Sequence, residues 1–436
     1  MVIYREYAES DLPSICKVLQ AAFNIYAQIN FSPEYIKELR EVDDGIRKGT
    51  IYVAEVNDNI VSVAMIVRRE LSLYPSFLPT AGIANVGTMP GYRGRGLARN
   101  LLTYALRDLR EKGYSASALF VSYGVPAHRI YRRLGFYDVV IYNNRVCVLE
   151  NIDHAVKWLE SRLENHAPRT NIEVLSEPWR EGVEGNFKLL YYRFINKKYR
   201  GSTYRSIERW RGILSKNPFE TWFLGDPSDK IIIHTNGGVH GYSIMYYMKD
   251  SILARSHDIG LGVVTEIVTR DLDEADAILI ATFKKALEDN IRTLTFRPPP
   301  DLDEYLPVCR VLGSPETFMF KILDPEKFVS DTYRFFSSRP VDSGLEVLVK
   351  GKEHIYKLML GDGRAEVRYV TSPGDASIII DEGALIRMLM ATMTAYDEYK
   401  LGRIIVKEPN TKKILELLNN VFKGRRRHYL SLIDKW

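Results

Sequence analysis

The run Val86-Gly87-Thr88-Met89-Pro90-Gly91-Tyr92-Arg93-Gly94-Arg95-Gly96-Leu97-Ala98 constrains this chain more than any other. A β-branched strand enters a basic loop punctuated by glycines, and the loop opens into a helix. Glycine lets backbone N–H groups approach an anion closely, and the helix beginning near Gly96 aims its positive dipole end at the same spot. The segment reads as a phosphate cradle that fits a pyrophosphate. No Gly-Lys-Ser/Thr follows, so it is not a Walker loop, and the GxGxxG spacing of a dinucleotide fold is missing.

Downstream, a helix predicted from Gly96 to Lys112 puts Leu101, Leu102, Ala105 and Leu109 on one side. A strand, Ala118-Leu119-Phe120-Val121-Ser122, follows, and then a helix carrying Ile130-Tyr131-Arg132-Arg133-Leu134-Gly135-Phe136. The spacing Arg93-x-x-Gly96-x-Ala98 resembles the acetyl-CoA loop of the GCN5-related N-acetyltransferases (GNATs). Tyr131 to Phe136 resembles the Tyr-x-x-x-Gly-Phe segment that lines the thiol end of their cleft. Both occur in the family's order and at its separation. The resemblance implies parallel strands that splay apart to admit the pantetheine arm, with Ser122 touching its amide.

At 436 residues the chain is long enough for two or three domains. With 46% hydrophobic and 26% charged residues it is an ordinary globular protein. A net charge of +5 suits polyanionic coenzyme A and falls short of a nucleic-acid-binding signature. Cys16, Cys147 and Cys309 are isolated, which suggests neither a disulfide framework nor a metal site, and fits a reducing compartment. With neither a signal segment nor a membrane-spanning run, the expectation is a cytoplasmic protein with no membrane partner.

Residues 1–150 read as one α/β unit: strand 2–5, helices 11–28 and 33–48, strands 51–56, 60–68 and 82–89, then the elements above. Asn57-Asp58-Asn59 between β-branched runs signals a hairpin. Val156, Leu159 and Leu163 mark an amphipathic helix leading out. Residues 151–325 repeat the order: a Tyr-rich helical stretch 184–214, strands 220–224 and 230–234, then runs 241–247 and 263–269, with Pro298-Pro299-Pro300 as a rigid turn near the end. After the last run, Arg270-Asp271-Leu272-Asp273-Glu274-Ala275-Asp276 replaces the basic glycines with four acids, which repel a pyrophosphate. This predicts a degenerate second copy that binds no coenzyme.

Residues 326–436 give strands 344–350, 354–360, 364–371 and 376–380, a helix after Asp381, strand 403–407 and a helix from Thr411 to Phe422. The run Asp375 to Asp381 followed by a methionine-bearing helix resembles the sterol-carrier-protein fold. Met388, Met390 and Met393 are candidates for a lipid tunnel, although methionine on a buried helix is more often core filler. The fold class is thus α/β (α+β): tandem acetyltransferase-fold domains, the second degenerate, followed by a sterol-carrier-like domain.

That whole-chain order resembles the Eis (enhanced intracellular survival) N-acetyltransferases. The resemblance implies coenzyme on the first domain alone, Tyr131 as general acid, the carboxylate of the last residue, Trp436, as general base, and a homo-oligomer, typically a hexamer. The segment Tyr123 to Ile130 is longer than the family's usual connection.

The chemistry asks for such groups. An amine with a pKa of about 10.4 needs a base to accept its proton, and the leaving thiolate needs an acid. N–H groups around Val86, Gly87 and Thr88 can stabilise the developing acyl oxyanion, and glycine at 87 allows a bulge that exposes them. Arg93, Gly94, Arg95, Gly96, Leu97, Ala98 and Arg99 surround the phosphates. His128, three residues before Tyr131, is a second candidate base. Glu34, Glu38, Glu41, Asp43 and Asp44 form a charge run, ordinarily a solvated face, that could attract a cationic acceptor. The leading reading is acetyl-CoA-dependent N-acetyl transfer to a primary amine, of a small cationic molecule or a protein lysine. The alternatives are a non-catalytic acyl-CoA and lipid sensor, or a structural assembly protein.

Overall fold

The computed structural model describes residues 1–23, 31–142, 145–163, 171–176, 182–215, 230–236, 241–247, 260–296, 299, 310–311, 315–339, 341, 344–423, 427–431 and 434. The end of the predicted helix 11–28, the predicted strand 220–224, Pro298, Pro300, Cys309 and Trp436 lie outside them.

Two large sheets share one topology. The first is built from β1 (Val2–Glu6), β2 (Thr50–Val56), β3 (Asn59–Leu73), β4 (Ser76–Thr88), β5 (Ala116–Ser122) and β6 (Tyr137–Tyr142). The second uses β7 (Arg145–Val148), β8 (Asn171–Ser176), β11 (Lys230–Asn236), β12 (Tyr242–Tyr247), β13 (Gly260–Val268), β14 (Ile291–Phe296) and β15 (Arg310–Val311), while β9 (Tyr199–Arg200) pairs with Arg427 and His428, and β10 (Thr203–Tyr204) pairs with β3 at the side of the first sheet. β16 (Glu316–Ile322) comes later in sequence but joins the first sheet, giving β1-β2-β3-β4-β5-β16-β6. The second runs β8-β11-β12-β13-β14-β7-β15. In each, the fourth and fifth strands are parallel and every other neighbouring pair is antiparallel.

The sixth position of each sheet is filled by the other half of the chain. β7 leaves the first unit to lie between β14 and β15, and β16 returns to lie between β5 and β6. Phe318, Met319 and Phe320 of β16 are fully buried there. The duplicated fold is therefore a reciprocal exchange of equivalent strands.

Local chemistry explains most elements. Asn57 and Asp58 both have positive φ, as a two-residue hairpin requires, and they join β2 to β3. The hairpin of β3 and β4 extends well beyond the predicted runs 60–68 and 82–89, to Leu73 and Ser76. The helices of the first unit are α1 (Leu12–Phe23), α2 (Pro33–Val42), α3 (Asp44–Arg47), α4 (Leu97–Glu111) and α5 (Pro126–Arg133). The predicted helix 33–48 breaks at Asp43, whose extended backbone ends α2 and whose carboxylate accepts from Gly45 N and Ile46 N to start α3. The predicted stretch 184–214 breaks into helices Glu184–Tyr191 and Ile207–Leu214, with β9 and β10 between them, because Gly201 turns with φ +78°.

The C-terminal unit adds a five-stranded sheet, β17 (Leu345–Lys350), β18 (Ile355–Gly361), β19 (Arg364–Tyr369), β20 (Ile378–Asp381) and β21 (Ile404–Val406), in the order β19-β18-β17-β20-β21. Met388 and Met390 are buried in the main core cluster, where methionine commonly serves as core filler. Cys147 is disulfide-bonded, with its partner outside the described residues, which corrects the expectation of three isolated thiols; Cys16 is free and buried.

Glu382 is buried where this unit meets the first, within reach of the Tyr356 hydroxyl. Its neighbour Gly383 lies against the Tyr137 ring. Burial pushes the Glu382 carboxyl up to about 7 from 4.5. The folded protein thus binds this proton more tightly than the unfolded chain, and stability falls as pH rises from 4.5 to about 7. Glu382→Gln removes that loss. Chemical denaturation should show it more stable than wild type by on the order of 2 kcal/mol near pH 8, with the difference gone near pH 4.

Candidate active site

β4 and β5 are paired from Thr80 with Ala116 to Ile83 with Leu119, and beyond that point they diverge. The cause lies on the other side of β4. Val63 faces Gly87 while Met65 faces Ala84, so Ala64 alone opposes Asn85 and Val86. This is a β-bulge, and Asn85 holds its left-handed turn with φ +46°. The bulge therefore sits at Asn85 and not at Gly87, where the sequence suggested it. Gly87 has another reason to lack a side chain: a Cβ there would lie 2.8 Å from Ala22 Cβ on α1. Ser62 secures the bend, its hydroxyl donating to Gly87 O at 2.9 Å and meeting Thr88 Oγ1 at 2.8 Å.

Beyond Thr88 the chain turns through Pro90–Tyr92 and reaches Gly94 and Gly96, with φ of +78° and +77°. Gly96 is the N-cap of α4, and no side chain caps that end among the described residues. Its first-turn N–H groups are therefore left for an external acceptor. Arg93 Nε donates to Thr88 O and Arg95 to Gly91 O, so these arginines brace the loop they belong to. Arg95 also stacks on Tyr92.

A cavity of about 740 Å³ lies over this loop. Val86, Gly87, Thr88, the whole of Arg93 to Arg99 and, across from them, Tyr131 line it. Ala22 and Phe23 of α1 close one side. Sequence reasoning missed Ala22, Phe23, Ser62 and Asn85; an asparagine just before Val-Gly was the one available signal for the bulge. Ser122 is not part of the lining, and pairs instead with Glu316 of β16. Trp436 lies outside the described residues.

Tyr131 is buried on α5 and meets Phe136 edge to face, at 6.0 Å between centroids. Burial raises its phenol well above the ordinary value, so it is a protonated donor throughout the physiological range. His128 is differently placed. Gly124 N donates to its Nδ1, and its Nε2 lies 2.7 Å from Asp138 Oδ1. Both ring nitrogens are occupied, and the imidazole holds the 123–125 loop to β6. None of Glu34, Glu38, Glu41, Asp43 and Asp44 lines the cavity. Asp43 is fully buried between Arg69 and Arg209, at 2.8 and 2.6 Å, which corrects its reading as part of a solvated face.

The equivalent corner of the second unit has lost the cradle. Eight residues separate β4 from α4, but three separate β13 from the helix Leu272–Glu288. Asp271 caps that helix by accepting from Glu274 N, and Glu274 accepts from Arg270 N. The unit's own carboxylates stand where an anion would bind.

Comparison with known proteins agrees with this architecture. Residues 3–139 match the family model described as acetyltransferase (GNAT) domain, so the chain carries a GNAT acetyltransferase domain. No curated protein matches the sequence. Among solved structures, a GCN5-related N-acetyltransferase from Anabaena variabilis is similar over 100% of both chains at 17% identity and a TM-score of 0.71. Eis1 from Mycobacterium abscessus is similar over 100% of both chains at 16% identity and 0.67. A probable N-acyltransferase from Enterococcus faecalis is similar over 100% of both chains at 14% identity and 0.70. These likenesses establish a shared fold along the whole chain. No described helix is long and apolar enough to cross a membrane.

Gly96→Glu adds a side chain at a left-handed position and a negative charge at the mouth of α4. Calorimetric titration with acetyl-CoA should show one site per wild-type chain and affinity lowered by about 100-fold or more in the variant. Unchanged affinity would move the coenzyme site elsewhere.

Proposed function

We propose that the protein moves an acetyl group from acetyl-CoA to a primary amine, of a small cationic molecule or a protein lysine. The observation that carries this reading is the juxtaposition, on one cavity, of an uncapped glycine-rich helix N-terminus and a buried protonated tyrosine. Acetyl-CoA would supply the activated thioester. The N–H groups of the 94–98 loop and the start of α4 bind its pyrophosphate, with Arg99 beside them. The widened strand end at Val86 to Thr88 receives the acyl oxygen and stabilises the charge that develops on it. Tyr131 gives its hydroxyl proton to the departing sulfur as the carbon–sulfur bond breaks and the carbon–nitrogen bond forms.

The amine's proton needs an acceptor, and His128 has no ring nitrogen to spare. The resemblance to the Eis enzymes assigns that role to the carboxylate of Trp436. Support comes from Asp434, two residues earlier, which is fully buried and ion-paired with Arg205. A cytoplasmic location, a homo-oligomer of the hexameric kind and a sterol-carrier-like third domain belong to the same reading, as do domain limits near 150 and 325.

Tyr131→Phe keeps the ring and removes the donor. Steady-state assays should show kcat lowered by about 100-fold with acetyl-CoA affinity retained; a fully active variant would return Tyr131 to the core. Deleting Trp436, or appending a tag after it, moves the terminal carboxylate by about 3.5 Å or more per residue. Turnover should fall in both proteins while acetyl-CoA binding and the melting temperature hold. Normal turnover in either would rule out the terminal carboxylate as base.

A further inference from the structure

α5 carries Tyr131 to the cavity, yet at eight residues it is too short to be stable alone. Its last turn is closed by backbone bonds: Leu134 N donates to Ile130 O, Gly135 N to Arg132 O and Phe136 N to Tyr131 O. Carbonyls at a helix end still call for donors from outside the helix. Two ammonium groups from distant parts of the chain supply them. Lys321 of β16 donates to Leu134 O at 2.7 Å, and Lys352 donates to Arg132 O at 2.5 Å. Lys352 lies in the turn between β17 and β18, so the C-terminal unit reaches the first unit at this point. Its ammonium also sits over the Tyr137 ring, 5.1 Å from the centroid.

Lys321 is the anomalous residue of its strand. β16 reads Glu-Thr-Phe-Met-Phe-Lys-Ile, and Phe320 and Ile322 on either side are buried. Lys321 is buried as well, on the face where Met319 joins Tyr131 and Phe136 in one core cluster. An apolar side chain would cost less there, so a lysine at this position is explained by what it holds. It holds Leu134 O and the carboxylate of Glu353, the neighbour of Lys352 in the same turn. Gly135 makes the approach possible. It takes a left-handed turn with φ +90°, and a Cβ on it would lie 3.0 Å from Lys321 Nζ. The glycine of the Tyr131 to Phe136 run thus keeps room for this ammonium. The helix dipole favours positive charge at the same end.

We propose that Lys321 and Lys352 are positioning residues that pin the C-terminal end of α5 and thereby fix where Tyr131 stands in the cavity. This rests on the reading of Tyr131 as general acid. Neither lysine lines the cavity, so their effect passes through α5. The exchanged strand and the C-terminal unit then both take part in turnover from a distance.

The decisive variant is Lys321→Met in the full-length protein. It keeps an unbranched side chain and removes the donor, while Glu353, with its side chain 52% exposed, regains water. Hydrogen exchange read by mass spectrometry should show the amides of Leu134, Gly135 and Phe136 exchanging about 10-fold faster than in wild type. kcat should fall by about 10-fold or more while the Kd for acetyl-CoA stays within about 2-fold. In a Tyr131→Phe background the same change should leave kcat within about 2-fold of Tyr131→Phe alone, because no acid is left to position. A general loss of packing would lower kcat in both backgrounds, and that result overturns the proposal. A loosened turn with unchanged kcat also overturns it, as does a lowered kcat with unchanged exchange. Lys352→Met, at an exposed position, should move the same readouts by less, and serves if Lys321→Met does not fold. A fully active Tyr131→Phe removes the acid reading and the positioning role with it. An impaired Tyr131→Phe beside a fully active Lys321→Met removes the positioning role alone.

Discussion

The exchange of β7 and β16 is the constraint on which the rest of the structure depends. A strand between two others contributes hydrogen bonds on both edges and side chains on both faces. Without β16 the first sheet has a gap between β5 and β6, next to the divergence of β4 and β5. Neither half of the chain can complete its own sheet, and each contributes the strand that the other needs. The second half is therefore an obligatory structural partner of the first, whatever else it does.

The same topology reaches two chemical ends through a few residues. In the first unit a long loop with two left-handed glycines brings the chain into a helix whose N-terminus has no side-chain cap among the described residues. In the second a short turn ends in Asp271, which caps the helix itself. Backbone N–H groups at a helix start must be satisfied from somewhere. An acceptor within the chain closes the helix start of the second unit to an anion, whereas that of the first is left open.

The residues of the candidate site are carried by local signals, and the fold class was legible as well. Glycines, arginines and the Tyr131 to Phe136 run are local signals, and the structure gathers Val86 to Thr88, Arg93 to Arg99 and Tyr131 around one cavity. Positions set by long-range pairing were harder to read. The bulge belongs to Asn85, because only a ladder register reveals where two residues oppose one. Glu316 to Ile322 is an apolar run whose partners lie almost 200 residues earlier, and no local pattern says which sheet it joins. Asp43 looked like one acid among five, yet the two arginines that bury it come from β3 and from the helix Ile207–Leu214 of the second unit.

Asp43 and Asp434 show how the units are held in register. Burial alone would raise the Asp43 carboxyl, but Arg209 and Arg69 outweigh it and hold the group near 2. One carboxylate there serves two guanidinium groups, while at Asp434 two carboxylates share one. Each cluster draws on both halves of the chain or on its end, and each is closed to water. Apolar contacts tolerate sliding by a fraction of a side chain, whereas a buried charge displaced from its partners loses several kcal/mol, on the order of 3 to 5. The apolar cores bring the units together, and these unequal ion clusters determine the one alignment in which they meet.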